Sequence, residues 1–354
     1  LSWRAPRAWG PRRFRTAHTP FPQPHFLSNG TYTAIVTNAG GGTSLWRGLA
    51  VTRWREDRTR DLGSHYIYLR DVRSGSVWSA AFQPVHRESE DYLVTFLPDR
   101  AIYRRRDEEI DTHLEIAVSP EDDVEVRRFS VTNSGDRARE IEVTSYVELA
   151  LAAPVDDLAH PAAGKLFLET EYLHASAALL CRRRPHLPGG SECWAIHVLA
   201  VEGQMAGPVE WETDRAAFLG RGHEPDDPVA LDGRPLSGTT GAVLDPIASL
   251  RLRLRLPPGG FIRLAFSTGM AVERAAAVAL AQRYHDPASA ARTLVLAQTH
   301  TQIELRHLTL TPEDSHLFLR LASLVLGTDG SLRAGADVLA HTTLGQEELW
   351  RHGI

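Results

Sequence analysis

Short runs in which apolar and polar residues alternate dominate the chain from residue 26 to about residue 268. Such alternation puts one side of a strand in a core and the other in solvent, which is typical of antiparallel sheets. The clearest run is Leu250–Leu256, where every second residue is an arginine. Further runs lie at 51–55, 66–69, 76–80, 92–96, 102–104, 112–118, 124–131, 141–147 and 166–170. This pattern predicts a mainly β protein, a large antiparallel two-sheet β-sandwich.

Residues that favour turns separate these runs. Asn133–Asp136 and Pro257–Gly260 each lie between two alternating runs, and we expect both to be hairpin connections. Ser119–Asp123 and Arg73–Gly75 are predicted to be hairpin turns for the same reason.

The pattern changes after residue 268. The alanine-rich stretch 271–284 predicts a helix, and a second helix is predicted for 288–307. A third should begin at Thr311–Asp314, which has a capping threonine, a proline and an acid in the favoured positions. Its apolar residues 317, 318, 321, 322 and 325 share one face and are expected to pack. We therefore divide the chain into an extended Arg/Pro-rich linker at 1–25, a β-sandwich at 26–268, a helical linker at 269–308 and a further helical segment at 309–354.

Composition and net charge limit the classes of function that the chain can have. Apolar content of 43% and charged content of 23% are ordinary for a globular protein, and a net charge of −5 argues against a nucleic-acid partner. The two cysteines, Cys181 and Cys193, flank a predicted hairpin turn, and we interpret them as reduced core residues.

No apolar run approaches the ~20 residues that span a bilayer, and the Arg/Pro-rich start is not a secretory signal. Because the chain begins at Leu1, we expect it to be a piece of a longer chain.

Candidate chemistry concentrates between Asn38 and Asp61, where three adjacent glycines precede a segment rich in Trp and Arg. Flat aromatic faces and forked polar groups can hold a sugar ring, but they also form interfaces between domains, and the second reading is favoured. The glycine turn could cradle an anion, yet it lacks the Lys and Ser/Thr of a phosphate loop, so a close-approach loop is preferred. The candidates for the substrate cleft or the domain interface are Asn38, Gly41, Gly42, Ser44, Trp46, Arg53, Trp54, Arg55 and Asp57.

Other reactive side chains give no motif. The histidines lack ligand spacing with cysteines or carboxylates, so no metal site is predicted. The adjacent pairs Asp156–Asp157 and Asp122–Asp123 are expected to be solvated turns. Serines lack a nucleophile-elbow context, so no catalytic residue is assigned.

Several long motifs carry a family resemblance. The runs SNGTYTAIVTNAGGGTSLW, LAVTRWREDRTRD, HLEIAVSPEDDVEVRRFSVTN and LWRHGI resemble the glycoside hydrolase family 94 phosphorylases. The chain is most similar to the phosphorylase-like region of cyclic β-1,2-glucan synthases, and the resemblance covers nearly all of residues 20–354. Leu62, Ala163 and Gly164 depart from the family's pattern.

The resemblance implies a fold and a division of labour. It implies a galactose-mutarotase-like supersandwich, linker helices and, within 309–354, the start of an (α/α)6 catalytic barrel. Family phosphorylases cleave a β-glucosidic bond with inversion, using inorganic phosphate as co-substrate and one carboxylic acid that would lie beyond Ile354. No cofactor is implied, and the chain alone is expected to be inactive.

The implied partners are a β-glucan oligosaccharide and the C-terminal catalytic domain of the parent chain, while a homodimer is also allowed. The implied location is cytoplasmic, with a parent chain that could be anchored to the inner membrane. Trp54, Arg55 and Asp57 are then expected to face the catalytic barrel. The alternative is a free-standing carbohydrate-binding β-sandwich module.

Overall fold

A computed structural model of the chain describes residues 10–54, 60–61, 63, 65–185, 192–326, 334–341 and 345–351. The strands, numbered along the chain, are β1 (Arg12–Phe14), β2 (Pro24–Ser28), β3 (Tyr32–Thr37), β4 (Gly42–Trp46), β5 (Leu49–Thr52), β6 (His65–Asp71), β7 (Val77–Ser79), β8 (Asp91–Phe96), β9 (Ala101–Asp107), β10 (Ile110–Val118), β11 (Val124–Asn133), β12 (Arg139–Ala152), β13 (Leu168–Leu173), β14 (Ala178–Arg183), β15 (Cys193–Glu202), β16 (Glu210–Asp214), β17 (Pro246–Leu256) and β18 (Phe261–Ala271). The helices are α1 (Pro154–Ala159), α2 (Pro161–Lys165), α3 (Arg215–Leu219), α4 (Arg274–Tyr284), α5 (Pro287–His307), α6 (Pro312–Leu326), α7 (Ala336–His341) and α8 (Gln346–Arg351).

The strands form two antiparallel sheets, as the alternation predicts. Within the described residues, the first sheet has the order β1-β8-β9-β10-β11-β18-β15-β14-β13. The second has the order β16-β17-β12-β5-β4-β3-β2, and β6 joins it by pairing with β12 and with β7. Arg12–Phe14, within the predicted N-terminal linker, pairs with β8 at the edge of the first sheet.

A large apolar core fills the space between the two sheets. Its largest fully buried side chains include Trp78, Tyr32, Tyr103, Phe129 and Phe266, which come from both sheets. Each such side chain contributes about 1.5–3 kcal/mol through the area it removes from water. The apolar positions of the alternating runs therefore form the inner faces of the two sheets, which pack against each other.

Two of the predicted hairpins are wrong, because each crosses from one sheet to the other. Residues 133–136 leave β11 in the first sheet for β12 in the second, and residues 257–260 return from β17 to β18. The crossings lie side by side: the Asn133 amide donates to the Gly260 carbonyl, and the Gly259 amide donates to the Asn133 carbonyl, each at 2.9 Å. The Asn133 side chain also donates to the Leu256 carbonyl at 3.1 Å. Turn composition alone does not say which strand the chain pairs with next, whereas Ser119–Asp123 and Arg73–Gly75 do join paired strands.

The helices after β18 pack on the outside of the sandwich. Ala277 and Ala281 of α4 contact Ile196 and Val198 of β15, while α5 lies across β10, β11 and β18. Helix α6 lies against β2, and Arg12 Nη1 donates to Ser323 Oγ at 2.8 Å. Among the helices formed by the described residues, none has the length and apolar character needed to cross a bilayer.

Helix α6 presents an unusual pair of faces. Its buried residues are Ser315 and Ser323, whereas Phe318, Leu321 and Val325 are 46–68% exposed. The apolar stripe predicted from the sequence is therefore present, but within the described residues its large members are largely uncovered.

Candidate functional site

The predicted site residues separate along the β3–β4–β5 meander. Because these strands are antiparallel neighbours, the turn at 38–41 and the end of β5 at Arg53 lie at one end of the sheet. Trp46 lies at the opposite end, where β4 turns into β5. Arg55 and Asp57 lie outside the described residues.

The glycine turn is closed by its own chain. A Cβ on Gly42 would lie 2.0 Å from the Ile35 carbonyl oxygen, and one on Gly41 would lie 2.3 Å from the Asp61 carbonyl oxygen. Gly42 also has a φ of +141°, a conformation that side chains rarely adopt. The Gly41 amide donates to Thr37 Oγ1 at 3.0 Å, so this N–H is used within the turn. The glycines here allow two segments of one chain to approach closely.

Asn38 fixes the segment before β2. Its Oδ1 accepts from the Gln23 amide at 3.0 Å, and its Nδ2 donates to the carbonyls of Thr16 and Ala17 at 3.3 and 3.2 Å. Asn38 is fully buried, and backbone groups hydrogen-bond both polar atoms of its side chain, as buried polar groups require. These contacts give the Asn38 side chain a structural role.

Ser44 and Trp46 are also buried and point toward the first sheet. The Ser44 hydroxyl donates to Glu125, and Trp46 Nε1 donates to Asp123 Oδ2 at 2.6 Å. Trp46 is only 4% exposed, so it offers no open ring face to a sugar.

Arg53 is the centre of a buried ion network at the end of β5. Its Nε and Nη2 donate to the Asp157 carboxylate at 3.1 Å, and its Nη1 lies 3.4 Å from Asp245. Asp245 also contacts Lys165 Nζ at 2.6 Å and Arg215 at 3.8 Å. The pairs tie β5 to α1, to α2 and to the segment that precedes β17.

Asp157 is buried in α1, so the prediction that Asp156–Asp157 forms a solvated turn is wrong for Asp157. Pro154 and Pro161 stand at the first turns of α1 and α2, where proline is favoured, and this signal could have predicted the helices. It could not have shown that the carboxylate meets Arg53, which lies 104 residues away in the sequence.

Exposed apolar side chains occur on the segments that this network joins. Trp54, directly after Arg53, is 46% exposed. The segments that the network joins also carry Val155 and Leu158 on α1, Leu166 after α2 and Leu244 beside Asp245, at 55–79% exposure. We call these five residues the Trp54 face. In soluble proteins, a large exposed apolar surface with a polar rim commonly marks an interaction site.

A carboxyl group that the sequence did not single out lies beside the glycine turn. Asp61 Oδ2 accepts from Thr37 Oγ1 at 2.5 Å, and burial raises the pKa of the Asp61 carboxyl to about 7, although this hydrogen bond lowers it. Asp61 borders a pocket of about 270 Å³ with Gln83 and His86. Such a carboxyl can be protonated near neutral pH, which is a property of many functional sites and of some structural ones.

The core also holds a polar cluster that the pattern of apolar residues concealed. His65 Nδ1 lies 2.9 Å from Glu125 Oε1, and Arg127 Nε donates to the same carboxylate at 2.9 Å. Burial and the charge of Arg127 lower the pKa of His65 to about 4. Burial alone would raise the pKa of Glu125, but Arg127 and the contact with His65 hold it well below its usual range. His197 packs against His65 and contacts Ser145 Oγ at 2.8 Å.

Together these features define a class of protein: a large two-sheet β-sandwich with helices packed on its outside and an exposed apolar face beside a buried ion network. The chain belongs to the glycosyl hydrolase 94 supersandwich domain family, whose sequence profile matches residues 10–287.

Similar proteins are much longer than this chain. The cyclic beta-(1,2)-glucan synthase NdvB of Rhizobium meliloti (strain 1021) is 34% identical over 92% of this chain and 12% of its own length. The solabiose phosphorylase of Paenibacillus borealis is 25% identical over 70% of this chain and 32% of its own length. An N,N'-diacetylchitobiose phosphorylase of Vibrio proteolyticus is 23% identical over 71% of this chain and 31% of its own length. The chain thus spans at most about a third of these relatives.

Proposed function

We propose that these residues are the sandwich domain of a bacterial enzyme that transfers glucosyl units of β-glucans, as a glycoside phosphorylase or a cyclic β-1,2-glucan synthase. The observation that carries the proposal is the 34% identity to a cyclic β-1,2-glucan synthase over 92% of this chain. The similarity to two disaccharide phosphorylases supports the same chemistry.

In this proposal the bond-breaking groups lie outside the chain. Inorganic phosphate attacks the anomeric carbon, and a carboxylic acid of an (α/α)6 domain that follows residue 354 protonates the departing glucosyl oxygen. The sandwich needs no cofactor for its part. Its place is the cytoplasm, where inorganic phosphate is available, with a parent chain that can be held at the inner membrane.

The Trp54 face is the surface that we assign to the catalytic domain. Three properties support this: Trp54 is exposed, four other large apolar side chains belong to the same joined segments, and buried ion pairs hold those segments in place. The uncovered stripe on α6 supports a second contact with the same domain. Covering such surfaces removes apolar area from water at about 25 cal/mol per Å².

The first experiment is a phosphorolysis assay with β-1,2-glucan oligosaccharides and inorganic phosphate. The 354-residue chain should release no glucose 1-phosphate, and the longer protein encoded by the same gene should release it or cyclise the glucan. Turnover by the chain alone would disprove the assignment of the acid to a following domain. A stop codon directly after residue 354 would favour a free-standing carbohydrate-binding module.

The second experiment tests the Trp54 face in that longer protein. Leu158→Glu puts a charge on the exposed side of α1 and should lower activity at least about tenfold, because it buries a charge without a partner in the interface. Phe261→Glu is the matched control, since Phe261 is 51% exposed and lies beside the crossings at the other end of β12. Equal activity of the two variants would contradict the assignment of this face.

A further inference from the structure

A second pocket lies at the other end of the β3–β4–β5 meander from the Trp54 face. It has a volume of about 490 Å³, inside the range of ~300–1,000 Å³ that small-molecule sites occupy. Three turns border it, at 29–31, at 46–47 and at 120–123, and α4 closes one side. None of its lining residues takes part in the ion network around Arg53.

One wall of this pocket is polar and held in place. The Arg47 guanidinium stacks on Trp46 at 4.8 Å from the ring centroid and lies 3.6 Å from Asp123 Oδ2. Asp123 also accepts from Trp46 Nε1, and Arg283 Nη1 donates to both carboxylate oxygens of Asp122 at 2.7 and 2.8 Å. The Arg47 side chain remains 56% exposed, so its other N–H groups face solvent.

The wall on the α4 side is mostly apolar, with Arg283 as its charged residue. Ala276, Ala279 and Leu280 line the pocket from α4, at the spacing of neighbours on one helix face. Val272, 52% exposed, continues this wall before the helix. The methyl side chains of the two alanines leave the space that larger residues would fill.

The charge of the pocket disfavours a strongly anionic ligand. Glu121, Asp122 and Asp123 outnumber Arg47 and Arg283 among the lining residues. A neutral ligand fits these walls when it donates and accepts hydrogen bonds on one side and offers C–H groups on the other. A pyranose has these two sides: hydroxyl groups around its edge and axial hydrogens on its face.

Arg47 occupies a backbone position that arginine rarely adopts, which suggests that its side chain has a function there. It has a φ of +48° and is followed by Gly48 with a φ of +82°, in the two-residue connection between β4 and β5. Asn, Asp and Gly are favoured in such turns because they tolerate positive φ at low cost. An arginine there is therefore not explained by the turn itself.

We propose that this pocket is a saccharide-binding site, separate from the Trp54 face, which takes a short neutral glucan segment through Arg47 and the carboxylates on one side and the alanine wall of α4 on the other. All of the lining residues belong to this chain, so the site can be tested on this chain alone. The choice of β-glucan as the ligand rests on the function proposed above, whereas the saccharide class rests on the pocket.

The experiment is a titration of the 354-residue chain by calorimetry with a β-1,2-linked glucotriose, cellotriose and maltotriose. We expect a dissociation constant in the millimolar range for a β-linked trisaccharide. Ala279→Trp should fill the pocket and weaken binding at least about tenfold, whereas Ala275→Trp, also exposed on α4 but outside the pocket lining, should leave it unchanged. Arg47→Asn should weaken binding by a similar factor while the melting temperature stays equal or rises, because Asn suits the turn.

Each remaining outcome decides one part of the proposal. Absence of binding by all three saccharides, or equal binding by the two tryptophan variants, would overturn it. Loss of binding on Trp54→Ala instead would place the saccharide on the Trp54 face and overturn it as well. Binding of maltotriose alone, blocked by Ala279→Trp, would support the pocket and count against the β-glucan function.

Discussion

The buried pair of Arg53 and Asp157 offers the sharpest test of the structure around the Trp54 face. Their side chains are 4% and 8% exposed and share contacts at 3.1 Å. At an effective dielectric of about 20, two unit charges at this distance attract by roughly 5 kcal/mol. Among the described residues, the guanidinium in Asp157→Ala would keep Asp245 at 3.4 Å and the Leu149 carbonyl at 3.5 Å. We therefore expect Asp157→Ala to lower the free energy of unfolding by about 3 kcal/mol.

The assay is a double-mutant cycle measured by urea unfolding and followed by circular dichroism. Asp157→Ala and Arg53→Ala should each be destabilising, and the double variant should be less so than the sum, with a coupling of at least about 2 kcal/mol. Glu171→Ala is the surface control, because its partner Arg274 is half exposed and the unfolding midpoint should not move. A coupling near zero would show that the pair is not formed in solution.

Three further outcomes test the glycine turn and the buried polar groups. The folded-state pKa of Asp61 is raised, so its contribution to stability is present at low pH and lost as the pH rises through about 7. Asp61→Asn should therefore stabilise the chain by about 2 kcal/mol at pH 8 and by little at pH 4, as judged by urea unfolding; a gain independent of pH would refute the raised pKa. In the Asp61→Asn variant, the lowered pKa of His65 predicts that the free energy of unfolding falls by roughly 2 kcal/mol from pH 7 to pH 5. His65→Gln should reduce this fall. Gly42→Ala should cost more than about 3 kcal/mol because its Cβ would meet the Ile35 carbonyl, whereas Gly48→Ala, with open space around it, should cost about 1 kcal/mol; similar melting temperatures for the two variants would contradict the close approach.

Most of the β structure could be predicted from the sequence, because alternation is a local consequence of burying one face of a strand. Val124–Val131 and Leu250–Leu256 lie within β11 and β17, and the helices predicted for 271–284 and 288–307 correspond to α4 and α5. The hairpins at 133–136 and 257–260 could not be predicted correctly. A turn sequence fixes the local bend, but the sheet that receives the next strand depends on contacts such as those of Asn133 with Gly259 and Gly260.

The candidate site residues were predicted from one segment of the sequence, but the structure places those that it describes toward two ends of the β3–β4–β5 meander. A meander returns the chain on itself, so Trp46 and Trp54, eight positions apart, lie at opposite ends of β5. Asp245 and Lys165 gave no signal of their own, and Asp157 was predicted to be solvated, because their roles depend on partners distant in sequence.

The sequence by itself determined the mainly β architecture, the helices that follow it and the family, since these depend on local periodicity and on long motifs. Only the tertiary structure decided which sheet each strand joins, which polar residues are buried, and that Arg53 is enclosed while Trp54 beside it is exposed. The physical reason is that burial and ion pairing depend on the distance between side chains in the folded chain, and neighbouring residues on a strand point to opposite sides. Thus one Trp/Arg segment gives both a buried anchor at Arg53 and, at Trp54, a surface open to a partner.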